Sequence, residues 1–235
     1  MNLYVGTSGF SYSKWKGAFY PKELPSQQML RYYAGHFRVV EINSTFYRMP
    51  EPSSLEPWAA EVPEDFVFTF KAPQEITHRL RLRNAEDPLR RFLDAVGGLR
   101  RRLGPLLFQL PPNMKKDAPR LRDFLALLPP KRRIAFEFRH SSWFDEEIFD
   151  LLRDYPAALC IAEADDDLKV PFVKTADWGY LRLRRAEYGD AELRKWLKQV
   201  RAQKWTDAFV FFKHEDTGNG PRFANRFLAL FNRLG

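Results

Sequence analysis

Ile134-Ala135-Phe136-Glu137-Phe138-Arg139 is the stretch from which the fold can be read. Ala135, Glu137 and Arg139 share one face of a period-two pattern, and Phe136 and Phe138 share the other. Successive side chains of a strand point to opposite faces. This is therefore a strand with one bulky apolar side and one polar side that ends in charge. Seven more runs are built alike: Leu3–Thr7, Val39–Asn43, Val67–Lys71, Leu106–Gln109, Ala158–Glu163, Gly179–Leu183 and Ala208–His214. Each ends in a polar residue or, at the seventh, carries Arg182 just before its end.

Helical patterns lie between most of these runs. Ser26 precedes Met29, Leu30, Tyr33 and Phe37 at helical spacing, and Ser53 or Ser54 is placed to cap a short helix around Trp58. Asp87-Pro88 reads as an N-cap and first-turn pair ahead of Leu89, Phe92, Leu93, Val96 and Leu99. Leu121, Phe124, Leu125 and Leu128 mark a fourth helix, stopped by Pro129-Pro130. Ser142 and Glu146 lie near the start of a fifth, faced by Ile148, Leu151, Leu152 and Tyr155. Asp190 is placed to cap a helix carrying Leu193, Trp196, Leu197 and Val200, and Gly220-Pro221 opens the last, with Phe223, Phe227, Leu228 and Phe231. Only the sixth connection lacks an amphipathic repeat. It reads Asp165-Asp166-Asp167, then Pro171, then Trp178. Strand and helix alternating eight times predict an α/β fold, a single (β/α)8 TIM barrel over residues 1–235 with a reduced or irregular sixth crossover. The length agrees with the roughly 250 residues typical of that fold.

Composition narrows the function classes. Lys and Arg exceed Asp and Glu to give a formal charge of +8, which favours anionic partners, nucleic acid among them. No apolar run approaches the roughly 20 residues of a membrane span, and the first strand begins at once with no signal-peptide pattern. A cytoplasmic protein without a membrane or an obvious protein partner is the expectation. Cys160 is the one cysteine and sits inside an apolar run, as a small core residue. There is no Walker loop, dinucleotide fingerprint or nucleophile elbow.

In a parallel barrel the C-terminal strand ends carry the active site. Period two puts Glu41 and Asn43, Thr69 and Lys71, Glu137 and Arg139, and Tyr180 and Arg182 on inward faces at that end. Glu41 and Glu137 are the acid–base candidates. Lys71, Arg139 and Arg182 would stabilise developing negative charge. Asn43 and Gln109 would orient a substrate, with Thr7, Ser8, Tyr47, His140 and Trp143 as further contacts. Buried charges need partners, so the same ring also reads as a set of mutual ion pairs. Gly218-Asn219-Gly220 before the last helix, with Arg222 in its first turn and Arg184 and Arg185 after strand seven, suggests an anion site. His78-Arg79-Leu80-Arg81-Leu82-Arg83, if extended, would line its arginines along one side. His78, His140 and His214 fall after strands and, with the carboxylates, leave a divalent metal as an alternative. No close-spaced ligand pair requires one, and no cofactor is required by the sequence.

These residues also carry a resemblance. Gly6-Thr7-Ser8-Gly9-Phe10-Ser11-Tyr12 with Trp15, Gly17 and Phe19-Tyr20-Pro21, and then Val40-Glu41-Ile42-Asn43-Ser44-Thr45-Phe46-Tyr47-Arg48-Met49-Pro50, resemble motifs of the DUF72 (YecE-like) family. So do Phe70-Lys71-Ala72-Pro73 with Ile76-Thr77-His78, Leu103-Gly104-Pro105 with Gln109-Leu110-Pro111-Pro112, and Glu137-Phe138-Arg139-His140 with Ser142-Trp143. The likeness runs to about residue 152. Beyond it the family carries Arg-x-His-Gly after strand seven and Phe-x-Asn-Asp after strand eight. Here stand Leu181-Arg182-Leu183-Arg184-Arg185 and Phe212-Lys213-His214-Glu215-Asp216, so Arg182 matches and the histidine and asparagine do not. The resemblance implies a TIM barrel and no particular reaction. A link from the family to endonuclease-IV-like barrels is a likeness of fold alone. The expectation is an enzyme, a hydrolase among the options, acting at the mouth on a phosphate-bearing or other anionic substrate, nucleic acid included. Two other readings stand beside it. One is a non-catalytic protein holding nucleic acid or a phosphorylated ligand. The other is a carbohydrate-active hydrolase with Glu41 and Glu137 spaced as in glycosidases.

Overall fold

The computed structural model describes residues 1–163, 168–213 and 218–233. Eight strands form one parallel sheet: β1 Asn2–Thr7, β2 Val39–Ile42, β3 Val67–Lys71, β4 Leu103–Gln109, β5 Ile134–Glu137, β6 Ala158–Glu163, β7 Trp178–Leu183 and β8 Asp207–Phe212. They run in the order β1-β8-β7-β6-β5-β4-β3-β2, every pair parallel. The helices are α1 Met29–Ala34, α2 Ser44–Tyr47, α3 Pro52–Glu61, α4 Glu86–Gly97, α5 Ala118–Ala126, α6 Glu146–Asp154, α7 Asp190–Ala202 and α8 Asn219–Arg233. This is the expected TIM barrel, with α2 a single extra turn after β2. Between β6 and β7 the described residues 168–177 hold no helix, so the reduced sixth crossover is real over that span. Its Val170, Phe172 and Val173 still pack on the core. Asp165-Asp166-Asp167 lie outside the described residues.

Two apolar layers follow from the period-two pattern. Outward side chains such as Phe68, Phe70, Phe108, Phe136 and Phe212 pack under the helices. Inward ones, including Val39, Leu107, Ala135, Cys160, Trp178, Tyr180, Phe209 and Phe211, fill the barrel. Cys160 is buried and unpaired there.

The barrel closes between β1 and β2 by an unusual seam. A ladder contact joins them only at Ser8 and Glu41, where the Gly9 N–H donates to the Glu41 carbonyl at 2.7 Å. Below it, the Tyr33 phenol of α1 inserts between the strands. Its oxygen accepts from the Thr7 N–H at 2.8 Å and its proton goes to the Val39 carbonyl at 3.0 Å. Gly6 makes this possible, since a Cβ there would lie 2.1 Å from the Val39 carbonyl oxygen.

Several helix starts differ from expectation. Asp117 and Asp145 cap α5 and α6 by accepting from the Arg120 and Glu147 N–H groups, each at 3.1 Å. Ser142 instead belongs to a tight turn at 141–143. Helix α4 begins at Glu86, which puts Asp87 inside the first turn. There its charge still suits the helix dipole. Gly189 caps α7, its N–H held by the Glu192 carboxylate at 2.8 Å, while Asp190 pairs with Arg226.

Candidate active site at the barrel mouth

The ends of β2, β5 and β7 bring two carboxylates onto one guanidinium. Arg182 donates from Nη1 to Glu137 at 2.6 Å, and from Nη2 and Nε to Glu41 at 2.9 and 3.2 Å. All three side chains are buried. Glu41 also accepts from Ser8 Oγ at 2.6 Å, Tyr180 OH at 2.6 Å and Asn43 Nδ2 at 3.2 Å. Glu137 accepts from Gln109 Nε2 at 2.8 Å and pairs with Arg184 at 3.2 Å.

This saturation sets the protonation states. Burial alone would raise both carboxyl groups, but opposite charge and hydrogen bonds outweigh it. Arg182, then the Ser8 and Tyr180 hydroxyls, hold Glu41 below its usual range. Arg182 and Arg184 hold Glu137 at about 2. Both are carboxylates at neutral pH with their oxygens already committed. The acid–base role expected of Glu41 and Glu137 therefore does not suit their geometry. They frame the site. Arg182 also occupies the space between them, so the open carboxylate pair that a glycosidase needs is not formed.

Lys71, at the end of β3, is different. It is 9% exposed. Its Nζ donates to Gln109 Oε1 at 2.8 Å and lies 3.6 Å from the centre of the Phe46 ring. Among the described residues no carboxylate pairs with it. Burial pushes its pKa down to about 7, and the Arg182 charge adds to that against the pull of Glu137 and Glu41. Gln109 thus joins the amine to Glu137 through its two amide ends. His78, half-buried beside Thr77 and edge-on to Phe46, is pushed down to about 4, by burial first and then by Lys71 and Arg139. It is neutral at pH 7. Arg139 is half-buried near His78, and Lys213, just past β8, adds positive charge near Lys71.

The remaining expected site residues are dispersed. Thr7 is buried, its hydroxyl bonded to the Gly9 carbonyl and Tyr33 at the seam. Ser8 serves Glu41. Trp143 is fully buried, stacked on Phe138 at 4.7 Å, with its N–H on the Met114 carbonyl at 2.7 Å, so it packs and offers no face to a ligand. His140 caps the turn at 141–143 through the Ser142 N–H. Tyr47 is 76% exposed on α2. The anion site expected at α8 is not assembled. Arg222 pairs with Glu187 at 2.8 Å, Arg185 with Glu192, and Arg184 turns inward to Glu137. The 78–83 segment is not extended. Residues 75–79 form a wide helical turn, and Arg81 and Leu82 take positive φ values of 50° and 68°. Its arginines therefore do not line one side. Among the described residues no cluster of His, Cys, Asp and Glu is placed to hold a metal. His214 and Asp216 lie outside the described residues. Nor is any helix among them long and apolar enough to cross a membrane.

Two residues not among the expected ones, Tyr180 and Lys213, also belong to the site. Tyr180 shares the inward face with Arg182, so the pattern that found one also signals the other. Lys213 stands at the polar end of the eighth run, the same signal that marked Lys71.

Comparison with known proteins places this geometry in a group. The model of a family described as "Protein of unknown function DUF72" matches residues 4–234. The UPF0759 protein YecE of Escherichia coli (strain K12) is 33% identical over 143 residues, which are 60% of this chain and 50% of that protein. The chain thus spans about half the length of that curated relative. The UPF0759 protein YunF of Bacillus subtilis (strain 168) is 24% identical, with 98% of this chain and 95% of that protein covered. A DUF72 family protein from Thermotoga maritima MSB8 has a crystal structure that superposes with a TM-score of 0.89 at 28% identity, covering 99% of this chain and all of that one.

Proposed function

This chain belongs to the DUF72 family of proteins of unknown function, and from that premise we propose that its barrel mouth is the active site of an enzyme for a small anionic substrate, with Lys71 as the group that exchanges protons. The observation that carries the reading is Lys71 itself, a buried amine with no carboxylate partner among the described residues and a pKa of about 7. General bases work best when their pKa lies near the operating pH. With a pKa near 7 rather than 10.5, the Lys71 amine is available in its neutral form at pH 7.

The surroundings support an anion. Glu41 and Glu137 are consumed by Arg182, while Arg139, Arg184 and Lys213 add positive charge around the pair. The Arg184 Nε is buried and has no hydrogen-bond partner among the described residues. Such an orphan donor calls for an acceptor, and a phosphate or carboxylate oxygen supplies one. On this reading Arg184 holds the anionic end of the substrate. Gln109 holds the Lys71 amine in place. When the amine takes a proton, the field of Glu137 acting across Gln109 stabilises the new charge.

The test is a panel of phosphorylated and carboxylated small molecules, with single-stranded oligonucleotides as a further arm, screened by thermal shift at low and high salt and then for turnover. A small anion that stabilises the protein at low salt, and is turned over by wild type but at least a hundredfold more slowly by Lys71→Met, is the expected result. Ligand binding with no turnover across the panel would convert the reading to that of a binding protein. Binding confined to oligonucleotides would shift the substrate class to nucleic acid.

A further inference from the structure

The Lys71 amine has a second capability, as a nucleophile. We propose that Lys71 forms a covalent imine with an aldehyde or ketone that carries a phosphate or carboxylate group. The inference rests on the mouth being the active site and deepens it by naming the substrate class.

Three geometric observations carry it. First, Nζ makes one hydrogen bond, to Gln109 Oε1, and no ion pair among the described residues. A single acceptor fixes the direction of the nitrogen and leaves its remaining positions for a reacting carbon. Second, the nearby carboxylates that would otherwise neutralise an ammonium are both locked onto Arg182. A buried lysine that has no carboxylate paired with it and feels a neighbouring arginine charge is an activated amine. Third, Nζ lies 3.6 Å from the centre of Phe46, a half-buried ring on the four-residue turn α2, whose neighbour Tyr47 stands in solvent. The aromatic ring against the amine helps exclude water there, which favours loss of water from the adduct. The low pKa agrees with all three.

The neutral amine adds to the carbonyl carbon, forming the C–N bond as the C=O π bond becomes a C–O single bond. One proton moves from nitrogen to oxygen to give the carbinolamine. That oxygen takes a further proton from solvent and leaves as water, and the remaining nitrogen lone pair completes a protonated imine. No oxidant or reductant is needed. The cationic product keeps the charge of the ammonium it replaces, so Glu137 and Glu41 favour it as they favour protonated Lys71. The Arg184 guanidinium sets the preference for a carbonyl compound whose anionic group lies a few atoms from the reacting carbon.

The experiment is reductive trapping on the wild-type protein. Glyceraldehyde 3-phosphate is incubated with the protein at pH 7, sodium borohydride is added, and the labelled lysines are mapped by peptide mass spectrometry. Lys71 is expected to be labelled at least tenfold faster than any other lysine, with unphosphorylated glyceraldehyde at least tenfold poorer at that position. Lys71→Arg is expected to lose the adduct, while mapping within the wild type keeps the result independent of how that variant folds. Labelling spread evenly over surface lysines overturns the imine. If the same phosphate compound nevertheless stabilises the protein in thermal shift, the anion-binding mouth stands and only the covalent step falls. If it neither labels Lys71 nor binds, the proposed site falls for this substrate class as well.

Discussion

At the residue scale the site is governed by Arg182. One guanidinium satisfies two buried carboxylates, and its fork geometry suits both at once. Removing one member of a buried ionic set leaves uncompensated charge and costs about 3–5 kcal/mol. Arg182→Met is therefore expected to lose about that much stability in urea unfolding. Adding Glu137→Gln to it is expected to restore part of the loss, because the pair of like charges disappears. A double variant no more stable than the single one would mean that packing, not charge, sets the cost. Arg182→Lys cannot reach both carboxylates in the same way and should fall between. The same residue explains Lys71, since an arginine that takes both acids leaves the neighbouring amine without one.

At the element scale the seam between β1 and β2 is the distinctive feature. Elsewhere strand ladders close the barrel. Here a phenol from α1 substitutes for ladder hydrogen bonds, and Gly6 leaves room for it. Gly6→Ala would put a methyl 2.1 Å from a backbone oxygen and 2.8 Å from the Tyr33 hydroxyl. The strands must separate to admit it. Overpacking of this kind costs about 1–3 kcal/mol, and the seam is expected to show it locally as faster amide exchange at Thr7, Ser8 and Gly9. A variant with unchanged exchange there would show that the seam accommodates a side chain. The seam matters for function because Ser8, one residue past β1, donates to Glu41.

For the whole molecule the buried groups dictate a pH profile. Glu137 has a folded pKa of about 2 against an ordinary 4.5. Its contribution is fully present above pH 4.5 and is lost as pH falls from there toward 2. Lys71 has a folded pKa of about 7 against an ordinary 10.5. Between those values the unfolded chain binds more protons, so stability rises with pH, whereas below 7 the burden of a buried ammonium is present in full. Tyr33 and Tyr180 are pushed up by burial and oppose unfolding less as pH passes 10, where the unfolded phenols ionise. Stability measured by urea unfolding is thus expected to climb from pH 7 to about 9.5, and Lys71→Met is expected to flatten that rise. A wild-type curve already flat above pH 7 would show that Lys71 is not the amine described.

By itself the sequence determined the barrel. A period-two run with a polar end, repeated eight times around amphipathic helices, leaves one way to bury both faces of every strand. The same pattern marked Glu41, Lys71, Glu137 and Arg182 as inward and at the C-terminal end of the barrel, because alternation is a local property of an extended backbone. What it left open was decided by the tertiary structure. Which of several cations would claim the two carboxylates depends on distances across the barrel, between residues separated by 45 and 141 positions in the chain. Trp143, Thr7 and Arg222 sit in the right segments but are turned to packing, to the seam and to a surface ion pair. Side-chain direction on loops follows from contacts that no local pattern records. The lowered pKa of Lys71 arises the same way, from burial and from the charge of an arginine on a distant strand.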